Sequence, residues 1–178
     1  MEQRQKEELA RSVKDFALPR YQEIPDVGLY LEQVAKFISQ CLAPLESVSI
    51  TGSMISNYVK KGLVPSPVKK QYDREQIASL LFIAVAKSVL SMEDIGLLLN
   101  IQRCSYPTEQ AYDYFHSEFH NVLFYVFGLS DKLYELDSGT SDDKLMLRST
   151  IITVAYKVYL DKCFALLHGE REANKKAD

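Results

Sequence analysis

Apolar residues in this chain recur at the spacing of an α-helix over most of its length. In residues 29–42, for example, Leu31, Val34, Ala35 and Ile38 fall at i, i+3, i+4 and i+7, along one side of a helix. Only 7 glycines and 6 prolines interrupt the 178 residues, and turns favour these two residue types. The pattern therefore predicts an all-α protein with at most one small β-hairpin.

We expect helices over residues 3–16, 29–42, 51–62, 73–90, 92–99, 108–127 and 144–168. Ser49 or Thr51 is a candidate N-cap for the third helix, and Gly62 is a candidate left-handed residue at its end. Asp73, with Gln76 three residues later, predicts a capping box, and Ser91 predicts another cap. Two prolines leave room in residues 63–72 only for a loop or a two-stranded wing. Residues 137–143 are expected to break the chain, and residues 169–178 to form a solvated tail.

The composition argues against a membrane protein and against a disulfide framework. The longest apolar run, residues 77–90, contains Ser79, Lys87 and Ser88, so it is too short and too polar to cross a bilayer. Residues 1–16 have no apolar signal core. The three cysteines are odd in number and widely spaced, with no CxxC pattern. We therefore expect a cytoplasmic protein without metal or other cofactor.

Residues 51–76 form a basic window in an acidic chain. Five cations and two anions give this window a net charge of +3, whereas the whole chain carries −3. A local basic patch on an acidic protein is typical of a surface that contacts phosphates. The helix within this window places Ser53, Ser56, Asn57 and Lys60 on one polar face. That face is also what any solvated amphipathic helix would present, and only the basic segment that follows favours a binding role.

The stretch SMISNYVKKGLVPSPVKKQYDREQIASLLFIAVAKSVLSMEDIGLLL resembles the winged helix-turn-helix domain of MerR-type bacterial regulators. The residues that carry the resemblance are Tyr58, Gly62, Leu63, Pro65, Lys69, Lys70, Tyr72 and Ser91. A longer stretch, residues 18–99 including LPRYQEIPDVGLYLEQV, resembles the bacterial family called domain of unknown function 1836. The second resemblance brings no established activity.

The MerR-type resemblance implies a winged helix-turn-helix that binds double-stranded DNA, and hence a transcription regulator. The implied DNA-binding residues are Ser53, Ser56, Asn57, Lys60, Lys61, Lys69, Lys70, Tyr72 and Arg74. Two departures weaken the implied contacts, because Ser56 and Gln71 stand where those regulators usually carry arginines bound to phosphates. The connection over residues 43–50 is also longer than the usual turn between two DNA-reading helices. A protein-interaction module that has lost DNA contact is therefore the alternative.

We predict three parts: an N-terminal helix (1–17), a winged helix-turn-helix domain (18–100) and a helical C-terminal hairpin or bundle (101–178). The two long C-terminal helices have apolar faces broader than one neighbour would cover. Two copies could bury these faces as a four-helix bundle, which predicts a homodimer.

Aromatic and histidine residues concentrate in the first of these C-terminal helices. They could line a site for a small apolar effector, although an ordinary core explains them at least as well: Tyr112, Phe115, His116, Phe119, His120 and Phe124. The i, i+4 spacing of the two histidines suits a metal, but no third ligand is evident. No catalytic motif is present, so we expect a binding protein and not an enzyme, with a small-molecule sensor or an enzyme built on this cluster as the remaining alternative.

Overall fold

A computed structural model describes residues 2–134 and 141–177, with side chains through residue 169. The described residues are mostly helical with one two-stranded sheet, which confirms the all-α prediction. The helices are α1 (Gln3–Val13), α2 (Leu31–Leu42), α3 (Gly52–Lys60), α4 (Arg74–Ala86), α5 (Met92–Ser105), α6 (Thr108–Val126) and α7 (Asp142–Ala177). The strands are β1 (Leu29–Tyr30) and β2 (Gln71–Tyr72), and short 3-10 turns occupy Tyr21–Glu23 and Ala43–Leu45.

Three predicted helix starts are confirmed by the hydrogen bonds of their caps, including that of α5, where Ser91 Oγ accepts from the Asp94 amide at 3.1 Å. Thr51 Oγ1 accepts from the Met54 amide at 3.3 Å and begins α3. Asp73 and Gln76 exchange two bonds of 2.8 and 2.9 Å in the capping box of α4. Each such cap stabilises its helix by about 1 kcal/mol, because it satisfies an amide that the helix itself leaves without a partner.

The strand β1 differs from the prediction, which placed residues 29 and 30 in a helix. Leu29 pairs with Tyr72 and Tyr30 with Gln71 in an antiparallel register. Gly28, at φ 71°, turns the backbone into this extended segment. Helical periodicity could not reveal the strand, because a two-residue strand is too short to show an alternation of its own. The pairing fixes the end of the segment that carries Lys69 and Lys70.

Two helices are longer than predicted. The helix α5 continues past Leu99 to Ser105, so the predicted domain boundary at residue 100 falls inside a helix. Arg103 in this extra turn donates to the Leu63 carbonyl at 2.6 Å, which ties the added turn to the segment after α3. The helix α7 begins at Asp142 and runs through Ala177, where a break over residues 137–143 and a tail from residue 169 were predicted. Residues 137–140 of the predicted break lie outside the described residues.

The helix α4 lies at the centre of the core. It is apolar on nearly all sides, and its buried residues include Ile77, Leu80, Leu81, Ile83 and Val85, the pattern of a helix surrounded by other elements. It contacts α2, α5, α6 and α7. The basic window is therefore attached directly to the most buried element of the fold.

The helix α1 packs on the same core. Leu9, Val13 and Phe16 are buried, and the Phe16 ring meets the edge of the Phe119 ring at a centroid distance of 5.7 Å. The predicted apolar side of this helix is therefore correct, and the helix is held by the C-terminal part of the chain as well as by the 3-10 turn at Ala43–Leu45.

Candidate nucleic-acid interface

The helix α3 presents a polar face to solvent. Ile55 and Tyr58 are buried against the core, whereas Ser53, Ser56 and Asn57 are exposed. Thr51 caps the helix, and Gly62 at φ 75° ends it, as predicted. The division between the two faces is therefore the one that the sequence indicated.

The exposed side chains of α3 differ in the hydrogen bonds they already make. Ser53 Oγ lies 2.9 Å from Thr51 Oγ1, and Ser56 Oγ donates to the Gly52 carbonyl at 3.0 Å. The side-chain amide of Asn57 makes no hydrogen bond to any other described residue. Asn57 is therefore the side chain of this face whose donor and acceptor are both free for a ligand.

Lys69 and Lys70 occupy a tight turn that we call the dilysine turn, residues 68–71. The Gln71 amide donates to the Val68 carbonyl at 2.9 Å, and both lysines have positive φ, 49° and 67°. Two successive left-handed residues make a type I′ turn, for which Asn-Gly is the preferred sequence. Holding two lysines there costs about 1 to 2 kcal/mol for each residue. The turn nevertheless projects both ammonium groups into solvent.

Four lysines, Lys60 and Lys61 at the end of α3 and Lys69 and Lys70 in the dilysine turn, form one basic segment. All four are exposed, and none makes an ion pair within the part of the chain that the structure describes. Residues 51–72 contain no acidic residue. The positive charge of this segment is therefore not neutralised by carboxylates of its own.

The loop between α3 and β2 is held in place from two sides. Gln76, which is buried, donates through Nε2 to the Pro65 carbonyl at 2.9 Å, and Arg103 donates to the Leu63 carbonyl. A Cβ on Gly96 would lie 3.2 Å from the Leu63 side chain, so α5 packs closely here. These contacts hold in place the loop that leads to the dilysine turn.

Tyr72 is buried and Arg74 is bonded to other residues of the chain, whereas the seven other predicted DNA-binding residues are exposed. Tyr72 is 4% exposed, and burial raises the pKa of its hydroxyl. Arg74 donates through Nε to the Ile24 carbonyl and through Nη1 to Gln22 Oε1, both at 2.9 Å. Its guanidinium also lies 3.7 Å from Asp26. These contacts fasten the segment before β1 to α4, so we leave both residues out of the candidate interface.

A carboxylate lies at the N-terminus of α3. Glu32 Oε1 is 2.9 Å from the position that a Cβ on Gly52 would take. The positive end of a helix dipole attracts anions, and here an acidic side chain already occupies it. A phosphate would have to bind at the lysines and not at the start of α3.

Most side chains of the aromatic cluster that was predicted to line an effector site are buried in the core or contact other residues of the chain. Phe119 is fully buried, and His116 Nε2 lies 3.0 Å from the Leu18 carbonyl oxygen. His120 is exposed, and its ring contacts the Phe124 ring at a centroid distance of 3.9 Å with 32° between the ring planes. The two remaining members, Tyr112 and Phe115, do border a cavity, and its other walls come from residues that the sequence did not single out.

Comparison with known protein families gave one match. The profile of a family described as Domain of unknown function (DUF1836) aligns with residues 19–115, more than half of the chain. The chain belongs to this family. The DUF1836 region contains all nine predicted DNA-binding residues and ends within α6 at Phe115. Neither the curated proteins nor the solved structures contained a match to the chain.

The DUF1836 region extends past the predicted start of the C-terminal part at residue 101 and ends within α6, so most of α6 and all of α7 lie beyond the family match. Among the described residues, no helix has both the length and the apolar character needed to cross a membrane. The same residues contain no group of three His, Cys, Asp or Glu side chains placed to hold a metal ion. The basic segment beside α3 is therefore the charged feature from which we argue a function.

Proposed function

We propose that the DUF1836 region is a winged helix-turn-helix that binds double-stranded DNA, and that the chain is a bacterial transcription regulator acting in the cytoplasm. The order of elements supports this proposal: β1, α2, a connection, α3, the dilysine turn and β2 follow one another as in a winged helix. In this arrangement α3 enters the major groove. With nine residues it is about 14 Å long, comparable to the width of that groove.

The observation that carries the proposal is the basic segment of four exposed lysines, none of which has a carboxylate partner among the described residues. Each lysine that neutralises a phosphate releases condensed counterions, which contributes about −0.9 to the slope of log affinity against log salt. Four such contacts give a slope of about −3.6 for one copy of the chain. These contacts are independent of sequence and position the protein on the duplex.

Asn57 is the side chain best suited to read bases. A free carboxamide can bond bidentately to the N6 and N7 atoms of adenine in the major groove. The hydroxyls of Ser53 and Ser56 already have partners, and a hydroxyl discriminates poorly among bases. We infer modest sequence preference centred on one adenine for each copy.

A second copy of the chain is the partner we propose for α7. Its solvent side carries an apolar stripe: Leu145, Tyr156, Leu160, Phe164 and Leu167, each at least 40% exposed, with Ile152 half-buried. The stripe is nearly symmetric about Tyr156, because Leu145 and Leu167 lie eleven residues on either side and Ile152 and Leu160 lie four. Two antiparallel copies of α7 that cross at Tyr156 would therefore place Ile152 opposite Leu160 and Leu145 opposite Leu167 across a two-fold interface. With α6 from each copy, they would form a four-helix bundle.

A salt titration tests the DNA-binding proposal directly. Fluorescence anisotropy of a mixed-sequence duplex, measured with the wild-type chain over a range of salt concentrations, should give a slope of about −3.6 for each bound copy. Absence of binding at low salt, or a slope near zero, would contradict the proposal.

Two observations favour a second candidate, a protein-interaction module on the same fold. Glu32 lies at the N-terminus of α3 and would repel phosphates, and Arg74 is committed to contacts inside the chain. If the titration shows no DNA binding, the exposed face of α3 becomes a surface for a protein segment whose acidic residues lie at the four lysines and not at the start of α3.

A further inference from the structure

A cavity of about 200 Å³ lies between four helices, away from the basic segment. Its walls come from α4, α5, α6 and the first turns of α7. It therefore spans the DUF1836 region and the part of the chain beyond it. From sequence, only Tyr112 and Phe115 were named as possible lining of such a site, because the other walls come from three further helices.

The interior of the cavity is apolar and aromatic. Phe82 and Phe115 meet edge to face at 5.4 Å, and the Tyr112 and Phe115 rings are 6.0 Å apart. Leu98 and Leu147 complete the wall from α5 and α7. The Tyr112 hydroxyl donates to the Pro19 carbonyl at 3.0 Å, and burial raises its pKa, so this phenol stays neutral.

Polar groups lie at one edge of the cavity, where α7 begins. Asp143 accepts a hydrogen bond from Ser105 Oγ at 3.2 Å. The Lys144 ammonium lies 5.9 Å from the ring centroids of both Tyr106 and Tyr114. Those contacts place α7 against α5 and α6, so the edge of the cavity depends on the position of α7.

Size and chemistry together restrict the occupant. An apolar cavity of about 150 Å³ stays dry and admits benzene, so about 200 Å³ has room for one substituted ring or two small fused rings. Ser79, Gln102, Thr108 and Gln110 also border the cavity, but most of its lining is apolar, and such walls favour an apolar occupant over water. A charged group would be desolvated among the aromatic rings, away from the Asp143 and Lys144 side chains at the edge.

We propose that this cavity is a binding site for a small, uncharged aromatic molecule of one or two fused rings. Its ring lies among Phe82, Tyr112 and Phe115, and a polar substituent points to the edge formed by Asp143 and Lys144. Flat rings suit such walls because edge-to-face and offset contacts are favourable. Since α7 supplies part of the wall, the ligand also favours the docked position of α7. The proposal does not depend on DNA binding.

Indole is a suitable probe, because the chain contains no Trp and indole can be excited beyond the absorption of Tyr. With the wild-type chain, indole emission should shift to the blue and saturate as protein is added. Nuclear Overhauser contacts should join the indole ring protons to methyl groups of Ala78, Ala111, Leu98 and Leu147. No DNA is present in either experiment, so failure here leaves the proposed function untouched, and loss of DNA binding leaves this proposal untouched.

Ala111→Phe fills the cavity from α6 and should weaken indole binding at least tenfold. Ala17→Phe is the matched control, because Ala17 is exposed and does not border the cavity; it should bind indole like the wild type. Absence of saturable binding to the wild type, Overhauser contacts to other methyl groups, or equal binding by Ala111→Phe and the wild type would each overturn the proposal. The Overhauser measurement uses only the wild type, so it decides the location even if Ala111→Phe does not fold.

Discussion

Arg148 Nε lies 2.9 Å from Glu118 Oε1, and this ion pair joins α7 to α6. The Glu118 side chain is only 1% exposed, whereas that of Arg148 is 23% exposed. Burial raises the pKa of Glu118 by more than Arg148 and Asn121 lower it. The carboxylate is therefore an unfavourable charge in the core that Arg148 partly compensates.

Replacing Arg148 with Met should destabilise the chain by about 3 kcal/mol, because it leaves the Glu118 carboxylate buried without its cation. Urea unfolding measured by circular dichroism gives the free energy. Arg11→Met is the matched control: Arg11 pairs with Glu7 on the surface of α1, and such pairs contribute less than about 1 kcal/mol. Equal losses for the two variants would show that the ion pair between α6 and α7 contributes no more than a surface pair.

Replacing Glu118 with Gln should change how stability depends on pH. Since burial raises the folded-state pKa of Glu118 above its ordinary value of 4.5, the folded chain holds this proton more tightly than the unfolded chain. The resulting stability is complete below pH 4.5 and is lost as pH rises through the folded-state pKa. The unfolding free energy of the wild type minus that of Glu118→Gln should therefore fall with rising pH.

The control for that pH series is the unfolding free energy of the wild type minus that of Glu8→Gln, a variant at an exposed position on α1. A wild-type minus Glu118→Gln difference that rises with pH would mean that Arg148 outweighs burial at this site.

Capping residues and helix-ending glycines predicted the helices well, because each of these sequence signals depends on a few neighbouring residues. Thr51, Asp73 and Ser91 cap helices as expected, and Gly62 ends α3. The pairing of Leu29 with Tyr72 was not predictable in this way, since it joins residues more than forty positions apart. The ion pair of Glu118 with Arg148 was not predictable either, since thirty positions separate the two residues.

The exposed part of the candidate interface could also be predicted from the sequence. Helical spacing separated Ser53 and Asn57 from the buried Ile55 and Tyr58. Spacing could not reveal that Arg74 bonds the Ile24 carbonyl, because that contact depends on the path of a Pro-containing connector. Nor could it reveal the left-handed lysines, since their turn normally favours Asn and Gly.

Replacing Glu32 with Gln should tighten DNA binding by about threefold, because it removes a negative charge beside the helix that enters the groove. The same change should cost about 0.5 kcal/mol of stability, since the carboxylate lies at the positive end of the α3 dipole. Anisotropy and urea unfolding measure the two effects. Glu8→Gln again serves as the control, and unchanged affinity for Glu32→Gln would place the duplex away from α3.

Replacing Leu160 with Glu should convert a dimer to a monomer, because a charge would be buried in the middle of the proposed α7 interface. Sedimentation equilibrium should give twice the chain mass for the wild type and a single chain mass for this variant. Leu97→Glu is the matched control, as Leu97 is 59% exposed on α5 and lies outside α7. A monomeric wild type, or a dimer that survives Leu160→Glu, would contradict the proposed interface.

The double variant Lys69→Asn/Lys70→Gly separates charge from folding in the dilysine turn. Asn-Gly suits a type I′ turn, so the variant should be more stable than the wild type by about 1 kcal/mol. It lacks both lysine charges, so binding to all DNA sequences should weaken together. Lys6→Gln/Lys14→Gln removes the same charge from exposed positions in α1 and at its C-cap and is the control.

The salt slope of DNA binding by Lys69→Asn/Lys70→Gly, compared with the wild type, is the most direct test of the proposed function. Loss of two phosphate contacts should make the slope shallower by about 1.8, while the α1 control keeps the wild-type slope. An unchanged slope and affinity in a folded double variant would show that the dilysine turn does not contact DNA.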